Sequence, residues 1–261
     1  MDALDLPHYD VGPRDALPVV LLHGFPLDHA MWAPQKAALQ EAGLRVIAPD
    51  LRGHGRAPVG HGPATMQAHA ADVLRLLDRV GVRRFALAGF SLGGYVAFEV
   101  ARQAQARVVG LALVDTRAEP DSPEAREGRY QTAARVRAGG VAPVVESMLP
   151  KMLTPRADPT LRAQVERTMR ATPPEGAAQA LEGMAERPDS RPALAAIRIP
   201  TLVVVGDQDP IAPPDAAKAM ADAIPGARLV VVPGAMHLTP LEKPAEVDAA
   251  MVAWAKSIRP W

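Results

Sequence analysis

The sequence predicts an α/β protein built on a doubly wound, mostly parallel sheet, and three observations predict it. Short apolar runs recur at residues 19–22, 44–49, 84–88, 108–115, 201–206 and 228–233. Several are continuously apolar, as strands covered on both faces are. Helix-like stretches at 66–80 and 95–102 alternate with them, and alternation of this kind leads to parallel strands joined by helical crossovers.

The elements follow in order. The run 19–22 leads into His23-Gly24-Phe25-Pro26, and 44–49 leads into Asp50-Leu51-Arg52-Gly53-His54-Gly55. After the helix-like stretch 66–80, Phe85-Ala86-Leu87-Ala88 enters Gly89-Phe90-Ser91-Leu92-Gly93, and a second helix-like stretch follows at once. The alternation stops between about 117 and 196, a segment with ten of the 27 prolines, yet helix starts are visible at Ser122-Pro123 and Asp158-Pro159. In each a capping side chain precedes proline at the first helical position. Helices without strands, set between two sheet strands and carrying apolar residues such as Met148, Met152, Leu153 and Met169, read as a lid. The expected division is a core of residues 1–116 and 197–261 with a lid at 117–196. The last two strands run into Gly206-Asp207-Gln208-Asp209-Pro210 and Pro233-Gly234-Ala235-Met236-His237.

Composition narrows the classes of function. The chain has 261 residues, 48% of them hydrophobic, enough to bury one large core. Basic and acidic residues balance at 29 each, which argues against a broad basic surface for nucleic acid or acidic lipid. With no cysteine, disulfides, thiolate chemistry and cysteine-ligated metal are excluded. Met1-Asp2-Ala3-Leu4-Asp5 has neither a basic start nor an apolar core, and no apolar run approaches the ~18 residues of a membrane span. A soluble cytoplasmic protein is the expectation, and no internal repeat is evident.

Gly89-Phe90-Ser91-Leu92-Gly93 has the G-x-S-x-G pattern of a strand-to-helix elbow. There a serine is held in a strained conformation, and glycines flank it because neighbouring backbone passes too close for a Cβ. A serine hydroxyl becomes a useful nucleophile only when a base takes its proton and a third group orients that base. An acid and a histidine each lie past the end of a strand, at Asp209 and His237, where open parallel sheets collect functional groups. Asp207 competes with Asp209, and either could be a turn residue. Asp115, at the end of the run 108–115, reads as a loop brace.

On these residues the chain resembles the α/β-hydrolase superfamily from about Leu6 to the C-terminus, and within it the small esterases, enol-lactonases and cofactor-free perhydrolases. The order Ser91, Asp209, His237 is that of the superfamily, and its spacing of the acid from the strand-ending Gly206 favours Asp209. The resemblance implies an α/β-hydrolase fold with a helical lid inserted after the sixth strand. Members usually begin with a two-strand hairpin, whereas this chain has room for little beyond residues 6–12, so an edge strand is expected to be short or missing. The implied activity is hydrolysis of small esters or lactones through an acyl-enzyme. Backbone N–H groups of Phe25 and Leu92 would form the oxyanion hole. Dehalogenase and epoxide hydrolase chemistry is disfavoured, because those relatives carry aspartate where this chain has Ser91. A slow-turnover ligand-sensing receptor and a perhydrolase or C–C bond hydrolase of the same fold are the alternatives; Pro26 occurs in perhydrolase-like relatives.

Leu27, Trp32, Phe90, Ile211 and Leu238 flank the motifs, and with the lid residues Met148 and Met152 they suggest a mainly apolar substrate pocket suited to a neutral acyl group. A dicarboxylate substrate would want a fixed cation, for which Arg126, Arg129, Arg135 and Arg137 are candidates, although arginines on such helices are usually solvated. His23 and His54 read as loop organisers. His54, His61 and His69 lack ligand-like spacing, so no metal is expected. The absence of a Walker-type lysine or a dinucleotide glycine pattern implies no nucleotide cofactor.

Overall fold

The six apolar runs form six strands of one seven-stranded sheet, and residues 8–11 add the seventh, seen in a computed structural model that describes residues 3–259. Met1 and Asp2, part of the N-terminal reading above, lie outside the described residues. The strands are β1 (His8–Val11), β2 (Pro18–Leu22), β3 (Arg45–Pro49), β4 (Phe85–Phe90), β5 (Val108–Val114), β6 (Thr201–Gly206) and β7 (Arg228–Val232). The helices are α1 (Ala33–Glu41), α2 (Met66–Arg79), α3 (Leu92–Gln103), α4 (Pro123–Gly139), α5 (Ala142–Met152), α6 (Pro159–Ala171), α7 (Pro174–Ala185), α8 (Arg191–Leu194), α9 (Pro214–Ala223), α10 (Thr239–Glu242) and α11 (Pro244–Ser257).

Strand order is β1-β3-β2-β4-β5-β6-β7, with β1 antiparallel to β3 and every other pair parallel. From β2 the chain steps outward to β3 and then crosses back to β4. Right-handed crossovers in opposite directions put α1 on one face and α2, α3 and α9 on the other; α1 packs on α11 and α2 on α3. The strands β2 to β6 are buried along their whole length, which accounts for their largely apolar sequence. The direction of winding reverses between β2 and β4. This opens a crevice beyond their carboxyl ends, the place where sheets of this kind collect ligands.

One expectation needs correction. The helical insertion follows the fifth strand of this chain and not the sixth, because among the described residues the N-terminus contributes a single edge strand. After β1 the chain makes a turn, Ala16 N–H donating to the Pro13 carbonyl (3.2 Å), and enters β2 directly, with no length for a returning strand. No helix among the described residues is long and apolar enough to cross a membrane.

The helix starts read from sequence form as expected. Ser122 Oγ accepts from Ala125 N–H (3.2 Å) and Asp158 Oδ1 from Thr160 N–H (2.7 Å), each ahead of proline at the first helical position. The inserted helices are tied to the sheet domain by defined bonds. Thr172 Oγ1 donates to the Pro26 carbonyl (3.1 Å), Gln179 Nε2 to the Gly60 carbonyl (2.9 Å), and Leu238 N–H to the Met152 carbonyl (2.8 Å).

Candidate active site

Ser91 sits between β4 and α3 with φ 50° and ψ −113°, a left-handed conformation that a residue with a side chain rarely adopts. The flanking glycines make that turn sterically possible. A Cβ on Gly89 would lie 2.2 Å from the Gly93 carbonyl oxygen, and one on Gly93 would lie 2.2 Å from that of Leu22. The elbow therefore presses against the end of β2, and the pairing of Leu22 with Gly89 brings the His23-Gly24-Phe25-Pro26 loop beside the serine. Thr116 Oγ1, just past β5, donates to the Ser91 carbonyl (2.9 Å) and fastens the turn from the other side.

Three side chains far apart in sequence meet here. His237 Nε2 lies 3.0 Å from Ser91 Oγ, and His237 Nδ1 lies 2.8 Å from Asp209 Oδ2. The histidine and aspartate are sealed from solvent, while Ser91 is 9% exposed. Asp209 is fixed through its other oxygen, which accepts the N–H groups of Ile211 (2.7 Å) and Ala212 (3.0 Å). Asp207 does not approach the histidine; its Oδ1 accepts Gly234 N–H (2.8 Å) and Ala235 N–H (3.3 Å) and shapes the turn that leads to His237. The competition between the two acids is thus settled geometrically in favour of Asp209 as the partner of the imidazole.

Asp115 is the brace expected of it, with a wider reach. Its Oδ1 accepts Gly206 N–H (3.1 Å) and its Oδ2 accepts the N–H and hydroxyl of Thr239, joining the end of β6 to the segment after His237. Burial, and then the nearby Asp209 charge, push its carboxyl well above the usual range. Glu242 adds a second clamp, accepting Met236 N–H (2.9 Å) and Thr154 N–H (2.7 Å), so the histidine loop is also bonded to the inserted helices. No local pattern marks Thr116 or Glu242 in the sequence, since their roles exist only across long separations.

Leu92 is the first residue of α3, whose opening N–H groups have no intrahelical acceptor. Among the described residues, neither Leu92 N–H nor Phe25 N–H is paired with a protein acceptor. Of the expected pocket residues, Met148 lines a cavity of about 250 Å³ together with Phe25 and with Arg117, Asp121 and Arg129. Leu27 lines a different cavity, beside Asp28, His29 and Asp50. Trp32, Phe90, Met152 and Leu238 are fully buried, Phe90 packing edge-on to Trp32 and 5.1 Å from the His237 ring. Ile211 is partly buried.

The remaining histidines organise structure. Leu51 N–H donates to His23 Nε2 (2.8 Å), so Nδ1 carries the proton and donates to the Gly24 carbonyl (2.9 Å). Burial lowers His23 to about 4 and His54 to about 3, and drives His69 well below the usual range. Asp28, His29 and Asp50 converge closely enough to suggest a cation site. Asp50 already accepts the backbone N–H and Nδ1 of His29 and the backbone N–H and Nε of Arg56. Although burial alone would raise its carboxyl, these bonds hold it far below the ordinary range, so its lone pairs are spent on protein donors.

This fold, with its glycine-flanked serine elbow and late histidine, defines a class. The chain belongs to the alpha/beta hydrolase fold family, whose model matches residues 18–244. Relatives within it include enol-lactonases and an esterase. The chain is 30% identical to the 3-oxoadipate enol-lactonase 1 of Acinetobacter baylyi, over 95% of this chain and 92% of that protein. Among solved structures, a thermophilic esterase from Thermogutta terrifontis, with malate bound, is 45% identical, with a TM-score of 0.94 over 98% of this chain and 94% of the other. The enol-lactonase of Burkholderia xenovorans LB400 is 32% identical, with a TM-score of 0.89 over 96% of each chain.

Proposed function

We propose that this chain is a serine hydrolase of carboxylic esters or lactones that works through an acyl-enzyme. The observation that carries the reading is the continuous Ser91–His237–Asp209 chain, with links of 3.0 and 2.8 Å. His237 Nε2 accepts the Ser91 proton as Oγ attacks the carbonyl carbon, and Asp209, accepting from Nδ1–H, holds the required tautomer and stabilises the imidazolium. The oxyanion of the tetrahedral intermediate takes hydrogen bonds from the Phe25 and Leu92 N–H groups; losing one such donor typically lowers kcat by ~10²–10³. The leaving alcohol, or the ring-opened alkoxide of a lactone, takes the proton from His237. Water, deprotonated by the same nitrogen, then releases the acid and restores Ser91.

Residues 117–196 act as the lid over a core formed by 1–116 and 197–261. Their bonds to Pro26, Gly60 and the segment after His237 support that reading. Excluding water there strengthens each of the electrostatic contacts above. The relatives' names span both esters and an enol-lactone, which supports a small carbonyl substrate.

Ser91→Ala tests the reading. Purified variant and wild type are compared on 4-nitrophenyl butyrate, with thermal unfolding as the control for folding. The variant is expected to unfold as wild type does and to lose turnover. Retained turnover in a folded variant would remove Ser91 as nucleophile.

A further inference from the structure

The cavity beside Phe25 has a wall with more positive charge than its neighbours neutralise. Arg117, Arg129 and Arg187 all converge on the single carboxylate of Asp121, which is 1% exposed. Burial would raise that carboxyl, yet the hydrogen bond from Arg129 and the charges of Arg129 and Arg187 outweigh it and hold it below the ordinary range. The other acid close by, Glu119, has a buried oxygen with no hydrogen-bond partner and contributes only its backbone carbonyl to Arg187 (3.1 Å). Even with Glu119 counted, three guanidinium groups face two carboxylates.

The three arginines are not equivalent. Arg187 is 2% exposed and held on several sides, Nη1 on Asp121 at 2.8 Å, Nε on the Glu119 carbonyl and its plane 4.5 Å over the Tyr95 ring; its Nη2 is also buried without an acceptor, but it does not line the cavity. Arg129 holds Asp121 through both Nε and Nη2. Arg117 has the longest contact of the three, 3.5 Å from Nη2 to Asp121, and its Nε is buried with no acceptor. A buried guanidinium N–H left unpaired is a standing cost that an anion would relieve. Arg117 lines the same cavity as Phe25 and Met148, one residue beyond Thr116, whose hydroxyl touches the Ser91 carbonyl.

We propose that this cavity receives a free carboxylate carried by the substrate, with Arg117 as its main ligand, so that the preferred ester or lactone is an anionic one. This rests on the serine-hydrolase reading above for its chemistry, and on the arginine cluster alone for its binding. Asp121 and Arg187 hold the wall in place, and Arg117 selects. Apolar side chains around the triad suit the carbonyl end of such a substrate, while the charge lies at the far end.

The test compares esters matched in size. 4-Nitrophenyl hydrogen succinate is set against 4-nitrophenyl butyrate, placing the carboxylate on the acyl side; 4-butyryloxybenzoate is set against 4-methylphenyl butyrate, placing it on the alcohol side. In Arg117→Gln the ratio of kcat/KM for charged over neutral ester should fall roughly tenfold to a hundredfold in one of the pairs, the range for a charge-assisted hydrogen bond. Arg117→Lys, which keeps the charge and loses the fork, should retain part of the ratio. Ratios unchanged within about twofold in both pairs would overturn the proposal, as would equal losses on charged and neutral esters, the mark of a merely structural residue. Binding of monoethyl succinate and monobutyl succinate to Ser91→Ala, followed by calorimetry with and without Arg117→Gln, separates the two readings. Carboxylate binding lost with Arg117 in a protein whose wild type hydrolyses no ester sustains the anion site and sinks the hydrolase reading. Hydrolysis with no Arg117-dependent binding or ratio does the reverse.

Discussion

Replacing Asp209 by Asn changes one charge and almost no volume, and its consequence can be worked from the contacts. Asp209 Oδ1 accepts the N–H groups of Ile211 and Ala212, which an amide oxygen accepts equally well. Those bonds fix the amide orientation, so the NH₂ group replaces Oδ2 at 2.8 Å from His237 Nδ1. A donor now faces that nitrogen, the proton moves to Nε2, and Nε2 can no longer accept from Ser91. Loss of tautomer control and of imidazolium stabilisation is worth on the order of 10⁴ in kcat in the serine-protease template, or about 5 kcal/mol at roughly 1.4 kcal/mol per tenfold. Asp207→Asn is the internal control. Its oxygen keeps the Gly234 and Ala235 bonds and never reached the histidine, so a loss below about tenfold is expected. The assay is kcat/KM on 4-nitrophenyl butyrate for both variants, with melting curves to show that each is folded. A folded Asp209→Asn that keeps a tenth of wild-type activity, or that outperforms Asp207→Asn, would refute the assignment.

Two further outcomes can be measured directly. Gly93→Ala places a Cβ 2.2 Å from the Leu22 carbonyl and 2.7 Å from that of His23. Because both neighbours are backbone, strain of about 1–3 kcal/mol is expected, seen as a lower unfolding midpoint accompanied by lost turnover; wild-type stability would contradict the packing of the elbow. The buried histidines predict acid sensitivity. His23 and His54 are lowered to about 4 and about 3 by burial, so the unfolded chain takes up their protons first. Their contribution to stability is complete above the unfolded value of about 6.5 and is lost as pH falls below it. Between pH 7 and 5 each should remove about 2 kcal/mol, read as a fall in urea unfolding free energy; Asp115, whose carboxyl is raised, works in the opposite direction and offsets part of it. His23→Gln and His54→Gln should flatten the profile, and a wild-type profile already flat from pH 7 to 5 would count against the neutral buried cluster.

The strands were legible because burial on both faces leaves a continuous apolar run, and the elbow because steric crowding at Gly89 and Gly93 tolerates no side chain. Helix starts at Ser122 and Asp158 were legible because capping is a local bond. Asp115, Thr116 and Glu242 were harder: each acts on a residue dozens of positions away, and nothing in a neighbouring triplet encodes that. Which side chains face a cavity is not legible in sequence for the same reason. Adjacency to a motif does not say which side of a buried strand or loop a side chain takes: Phe90 is buried between Trp32 and the His237 ring, whereas Met148 lines the cavity.

By itself the sequence determined the strand and helix succession, the position of the serine turn and the presence of an acid and a histidine after later strands, because those depend on periodicity and on steric demands spanning a few residues. Only the tertiary structure decided which acid the imidazole meets, and that three arginines share one aspartate at the edge of the cavity. These are matters of convergence, set by how the sheet winds and how the inserted helices dock, and distances of that kind are not written in any stretch of the chain shorter than the fold.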